Sequence, residues 1–166
     1  RCILWPNSGP PMLSSAYNNN YQIFQTPEYV AIVIEMIHDV RIIPLDGRAH
    51  IETGLRQWLG DSRGYWEDDT LVVESTNFSN KTVIRAANNA RPTEDLRVIE
   101  RFRRIDADTI EYRFTIEDPK TWSLPWTGEV PWTAITEQLY EYGCHEGNYS
   151  MATMLTGSRN SEAATK

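Results

Sequence analysis

Four ionisable side chains crowd into seven residues of one apolar run. They are Glu35, His38, Asp39 and Arg41, within Glu28–Pro44 (EYVAIVIEMIHDVRIIP). A run this rich in Val and Ile is expected to be a strand, or a bent pair of strands, in a β core. Burying charge there without partners is expensive, so the charges need a reason. As one extended strand it would put Ile32, Ile34, Met36, His38, Val40 and Ile42 on one face. Val33, Glu35, Ile37, Asp39, Arg41 and Ile43 would take the other. One reading makes the first face core, His38 a hydrogen-bonded core histidine, and the charged face solvent. The other makes the strand line a cavity. Glu35 is then a candidate general base, and His38 an acid or base turned inward by a bulge. Asp39 pairs with Arg41 as an orienting couple, and Arg41 can hold an anionic group of a substrate.

A second cluster lies in Tyr140–Glu146 (YEYGCHE). Tyr140 and Tyr142 share a strand face as substrate contacts. His145 is a further acid–base candidate, and Glu146 beside it a binding one. With Glu35 and His38, His145 also offers mixed N/O ligands to a metal. No HxH or HExxH spacing accompanies them, no motif requires a cofactor, and a plain polar turn is the competing account. Trp126, with Trp122 and Trp132, is either a sugar-stacking surface or core and edge packing. His50 stands in a loop with no motif around it. A nucleophile elbow, a P-loop and a dinucleotide fingerprint are all lacking.

The elements that must position these groups read as strands. Tyr21–Gln25 alternates. The turn Pro44–Arg48, with Asp46-Gly47 at its tip, ends the central run. Trp66 and Thr70–Phe78 form a hairpin about Glu67-Asp68-Asp69. Leu96–Ile105 and Thr109–Glu117 form another, with Ile110, Tyr112, Phe114 and Ile116 inward. Trp122–Trp132, interrupted by Pro125 and Pro131, suits an edge strand, and Gln138–Cys144 a last strand. Val83–Asn88 suggests a short helix, Tyr149–Gly157 another capped by Asn148, and Ser158–Lys166 a frayed tail. Seven to nine strands in short-turn order predict one all-β domain over residues 1–166. The expected form is an antiparallel up-and-down β-barrel of lipocalin-like kind with a short C-terminal helix; a β-sandwich is the alternative.

The chain's 166 residues, 40% hydrophobic and 23% charged, suit one globular domain. Its net charge of -7 argues against a nucleic-acid partner, which needs a basic face. Arg101, Arg103 and Arg104 are basic, but Glu94, Asp95, Glu100, Asp106 and Asp108 surround them, so a solvated strand face is expected. No apolar run is long enough to span a membrane, and no signal peptide is present. The start at Arg1 without Met fits a trimmed, C-terminal part of a longer precursor. Cys2 and Cys144 are either a bridge across nearly the whole chain or two buried thiols.

Several phrases occur together: GPPM at Gly9–Met12, YNNNYQIFQTP at Tyr17–Pro27, EMIHDVRIIPLDGR at Glu35–Arg48, RQWLGDSRGYWEDDTLVVESTNF at Arg56–Phe78 and YEYGCHEGNYSM at Tyr140–Met151. With them the chain resembles a family of bacterial proteins from environmental and soil genomes that are expected to be exported. The resemblance implies a periplasmic or secreted protein and supports the Cys2–Cys144 disulfide; it brings no reaction or ligand.

The expectation is therefore an exported β-barrel enzyme. A His/carboxylate site would perform acid–base chemistry, as hydrolysis, elimination or isomerisation, on a small or carbohydrate-like molecule. The alternatives are a non-catalytic small-ligand-binding module and a structural or interaction domain.

Overall fold

The computed structural model describes residues 4–5, 7–82, 84, 90–147 and 149–164. Eight strands and one helix follow in order: β1 Tyr21–Gln25, β2 Tyr29–Ile34, β3 Val40–Pro44, β4 Asp61–Glu67, β5 Thr70–Thr76, β6 Arg97–Arg104, β7 Thr109–Glu117, β8 Trp126–Thr133 and α1 Ser150–Ala164. They form two antiparallel meanders, a three-stranded sheet β1-β2-β3 and a five-stranded sheet β4-β5-β6-β7-β8. Among the described residues no ladder joins β3 to β4 or β8 to β1, so the sheets stay open and face each other like a sandwich. No helix is long and apolar enough to cross a membrane.

Alternation explains the strands. In β7, Tyr112, Phe114 and Ile116 are buried and face the core, as the sequence pattern requires. Opposite them the inner residues of β2, Val30, Ile32 and Ile34, are also buried. The outer face of the larger sheet carries cross-strand ion pairs: Arg97 with Glu74 and Glu117, Arg101 with Glu67, and Arg113 with Glu129. The basic cluster is thus a solvated face. Pro131 sits in β8, whose outer edge has no ladder partner, which is where a strand tolerates proline.

The central run is the bent pair of strands, and its bend changes the side-chain phase. A 3-10 turn at Met36–His38 separates β2 from β3, with Ile37 at φ 70° and His38 at φ 48°. The left-handed region is strained for a β-branched residue such as Ile37. The turn is closed by Ile34 N–H donating to Asp39 O at 2.9 Å. After it Arg41 and Ile43 point inward, while Val40 and Ile42 point out.

The interior is filled, not hollow. Asn7, Ser8 and Met12 are fully buried between the sheets. Tyr21 Oη donates to Asn7 O at 3.1 Å, and Met12 N–H donates to Tyr112 Oη at 2.8 Å. Beneath this plug lies an ion pair, Arg41 to Glu100, with N···O distances of 3.0 and 2.6 Å. Tyr112 Oη donates to Glu100 Oε1 at 2.7 Å, and Arg41 Nη2 also reaches Ser62 Oγ at 3.3 Å. The calyx of a lipocalin is therefore occupied by the protein's own chain.

Three expectations change. Gln138–Cys144 is irregular, because β8 is followed by no further strand in its sheet. The C-terminal segment is helical through Ala164, so Ser158–Ala164 is not frayed. The Val83–Asn88 helix and the Cys2–Cys144 bridge fall largely or partly outside the described residues, since Cys2 and most of 83–89 are not described; Cys144 is buried.

Candidate functional site

The two clusters singled out in the sequence meet, but without convergent chemistry. His38 sits on the exposed hairpin tip, its Nδ1 3.4 Å from Tyr142 O and 4.0 Å from Glu141 Oε1. Glu35 turns the other way. Buried, it accepts from Asn20 N–H at 3.2 Å and from Asn20 Nδ2 at 2.8 Å, tying the start of β1 to the end of β2. A carboxylate so used is a structural clamp. His145 and Glu146 are exposed, and among the described residues no hydrogen bond or ion pair joins Glu35, His38 and His145. No group of three or more His, Cys, Asp or Glu among those residues is placed to hold a metal ion.

The remaining expected residues separate as well. Asp39 accepts from the Val40 N–H at 2.8 Å, an Asx contact of the turn, and makes no pair with Arg41. Arg41 cannot be a free anion receptor, because its side chain is 2% exposed and Glu100 already holds two of its nitrogens. Its Nε is buried without a partner. Tyr140 is exposed, and Tyr142 packs its ring 6.2 Å from that of Tyr17. Trp126 lies inside, edge-on to Phe114 at 5.7 Å, as core packing.

A better built His/carboxylate pair lies elsewhere. His50 Nδ1 is 2.8 Å from Asp61 Oδ2. Asp61 opens β4 at the seam with β3, and its side chain is 8% exposed. It accepts two more hydrogen bonds, from Ile51 N–H at 3.0 Å and from Arg63 Nη1 at 2.7 Å. A carboxylate only accepts, so the proton at the His50 contact belongs on Nδ1 and the lone pair on Nε2. Glu74 Oε1 stands 4.0 Å from Nε2. The Arg97 guanidinium hydrogen-bonded to Glu74 holds its carboxyl below the usual range, against the opposing effect of burial. The imidazole thus sits between two acids, ready to carry positive charge.

The seam beside this pair is splayed into a groove of about 550 Å³. Its walls include Asp39, Arg41, Gln57, Trp58, Asp61 and Ser62. Why it opens there is local. At Gly64 the strands press together: a Cβ would lie 2.7 Å from Ile43 Cγ2, so only glycine permits the approach. Toward Asp61 the loop 49–60 intervenes, anchored by Gln57 N–H to Asn77 O at 2.9 Å. Ser62 Oγ faces Ser75 Oγ at 2.8 Å in the interior, so it is no nucleophile for the groove.

A second groove, of about 470 Å³, opens at the other seam between β1 and β8. Tyr21 and Trp132 stack in its wall at 4.6 Å and 18°. Asn19, Gln22, Arg104 and Asp108 supply polar atoms around them.

The sequence reading passed over His50 and Asp61 because they are separated by eleven positions of irregular chain and match no spacing rule. The one available signal was a histidine in a long loop followed by an acid at the first position of a strand. Comparison with family models, with curated proteins and with solved structures returned no match.

Proposed function

We propose that the protein is an exported acid–base enzyme that acts on a small or carbohydrate-like molecule held in the β3–β4 groove. His50 moves the proton through Nε2, and Asp61 is its positioning residue. The observation that carries this is the 2.8 Å His50–Asp61 contact on a carboxylate otherwise buried and held by two further donors. That is the arrangement by which a carboxylate fixes an imidazole's tautomer and stabilises its cation. No side-chain nucleophile stands with it, so the reaction it suits is proton abstraction from water or from the substrate itself, leading to hydrolysis, elimination or isomerisation. Trp58 offers a ring face, and Gln57 and the buried Arg41 Nε offer donors, to a hydroxylated ligand. The export reading keeps with it the Cys2–Cys144 bridge and a barrel whose open seams are its binding grooves.

The test is turnover of glycoside, ester and lactone panels by the purified protein and its variants. His50→Gln is expected to lower the rate at least about 100-fold, and Asp61→Asn by a comparable factor. Full activity in His50→Gln, or binding with no turnover of any class, overturns the proposal. The second outcome supports a non-catalytic binding module. What favours that reading is the stacked Tyr21–Trp132 pair in the β1–β8 groove, an aromatic wall of the type that holds sugar rings.

A further inference from the structure

The two sheets treat solvent in opposite ways. The outer face of the five-stranded sheet is laced with ion pairs. The outer face of the three-stranded sheet holds no charge across its middle. Register places Phe24, Ala31 and Ile42 in one row, and Gln22, Val33 and Val40 in the next. Phe24 is 51% exposed, Ile42 53% and Val40 43%. An uncharged apolar face of this kind, in a chain of net charge -7, is a surface made to be covered.

Helix α1 has the reciprocal problem. It buries no residue. Its exposed Met151, Met154 and Leu155 fall on one side, three and four positions apart, and its first charge is Arg159. A helix of this length with nothing packed against it is marginal in water. Its fifteen residues span about 22 Å, against about 20 Å for the six-residue β2. The helix also starts close to the bare face: it follows Tyr142, whose carbonyl lies 3.4 Å from His38 at the β2–β3 tip.

We propose that these surfaces cover each other between two copies of the chain, α1 of each lying across β1-β2-β3 of the other. A twofold pair satisfies both helices and both sheet faces and leaves neither surface over. Each helix-on-sheet contact hides roughly 300–400 Å² on each surface. The two contacts together reach about 1,200–1,600 Å², the size of a standard stable interface. Neither surface is charged where they meet, so the interface forms where the acidic copies repel least.

Sedimentation velocity of the full chain across about 1–100 µM tests this. The expected species has twice the chain mass of 19.1 kDa. Met154→Lys with Leu155→Lys should weaken the dimer at least about 100-fold, and Ile42→Lys likewise. Mixing the helix variant with the sheet variant should restore a heterodimer, since one intact helix then meets one intact face. Because α1 buries nothing, the helix variant leaves the sheets folded, and its effect stands even where Ile42→Lys disturbs folding. A monomer throughout the range, a dimer indifferent to the helix variant, or no heterodimer from two folded variants overturns the proposal.

Discussion

Glu100→Gln should cost about 3–5 kcal/mol of folding free energy, the range for breaking a buried ion pair from one side. The Glu100 side chain is 0% exposed and that of Arg41 2%, so water cannot replace the lost charge. Gln keeps one acceptor for Tyr112 but leaves the guanidinium unneutralised between the sheets. With total stability of an ordinary domain at about 5–15 kcal/mol, the loss is a third or more of the whole. For a urea slope of about 2 kcal/mol/M it moves the unfolding midpoint down by roughly 1.5–2.5 M. The control is Arg41→Met with Glu100→Leu, which removes both charges at once. It should cost about 1–3 kcal/mol, chiefly for the Tyr112 hydroxyl left without its acceptor, and far less than the two single changes added. Urea unfolding followed by tryptophan fluorescence reads all four proteins. A Glu100→Gln cost below about 1 kcal/mol, or a double variant as unstable as the sum, would refute the reasoning.

Two further outcomes are expected. Asp118 accepts from Thr93 N–H, Thr93 Oγ1, Thr121 Oγ1 and Lys120 N–H; burial pushes its carboxyl up, but these donors prevail and hold it below the ordinary value. Its contribution is therefore present above about pH 4 and lost as pH falls through the lower folded value. Asp118→Asn should cost about 1–2 kcal/mol at neutral pH, a gap that narrows below about pH 4; a gap constant with pH refutes this. His38→Gly, at φ 48° and exposed, should unfold within about 1 kcal/mol of the parent and keep the parent's turnover. Loss of turnover on a stable fold would return the chemistry to the hairpin tip.

Strands with a clean two-residue period were legible from sequence. β7 shows it in Ile110, Tyr112, Phe114 and Ile116, and the β4–β5 hairpin in Leu71 and Val73. The bend at Glu35–Asp39 was not. It contains no Gly, Pro or Asn, and Ile37 takes φ 70° without any residue-type signal. That single bend reverses which side chains of the run face inward, so Arg41 enters the core and Glu35 leaves the site. Propensity also misled at Gln138–Cys144, where Leu and Tyr suit a strand but no sheet edge takes them. The pairings that matter most, Arg41 with Glu100 and His50 with Asp61, join residues far apart in sequence. Only the register of the sheets brings them together.

The plug between the sheets also has a consequence in time. Asn7–Met12 leave the ribosome before any strand, yet Met12 is held by Tyr112, one hundred residues later. The first-made segment must therefore wait, solvated, until β7 has been synthesised and paired. Its Pro- and Asn-rich composition suits that wait, since it offers no strand for the growing sheets to capture in the wrong place. What is synthesised first is thus among the last parts put in place, and interior completion is a late event in maturation rather than its nucleus.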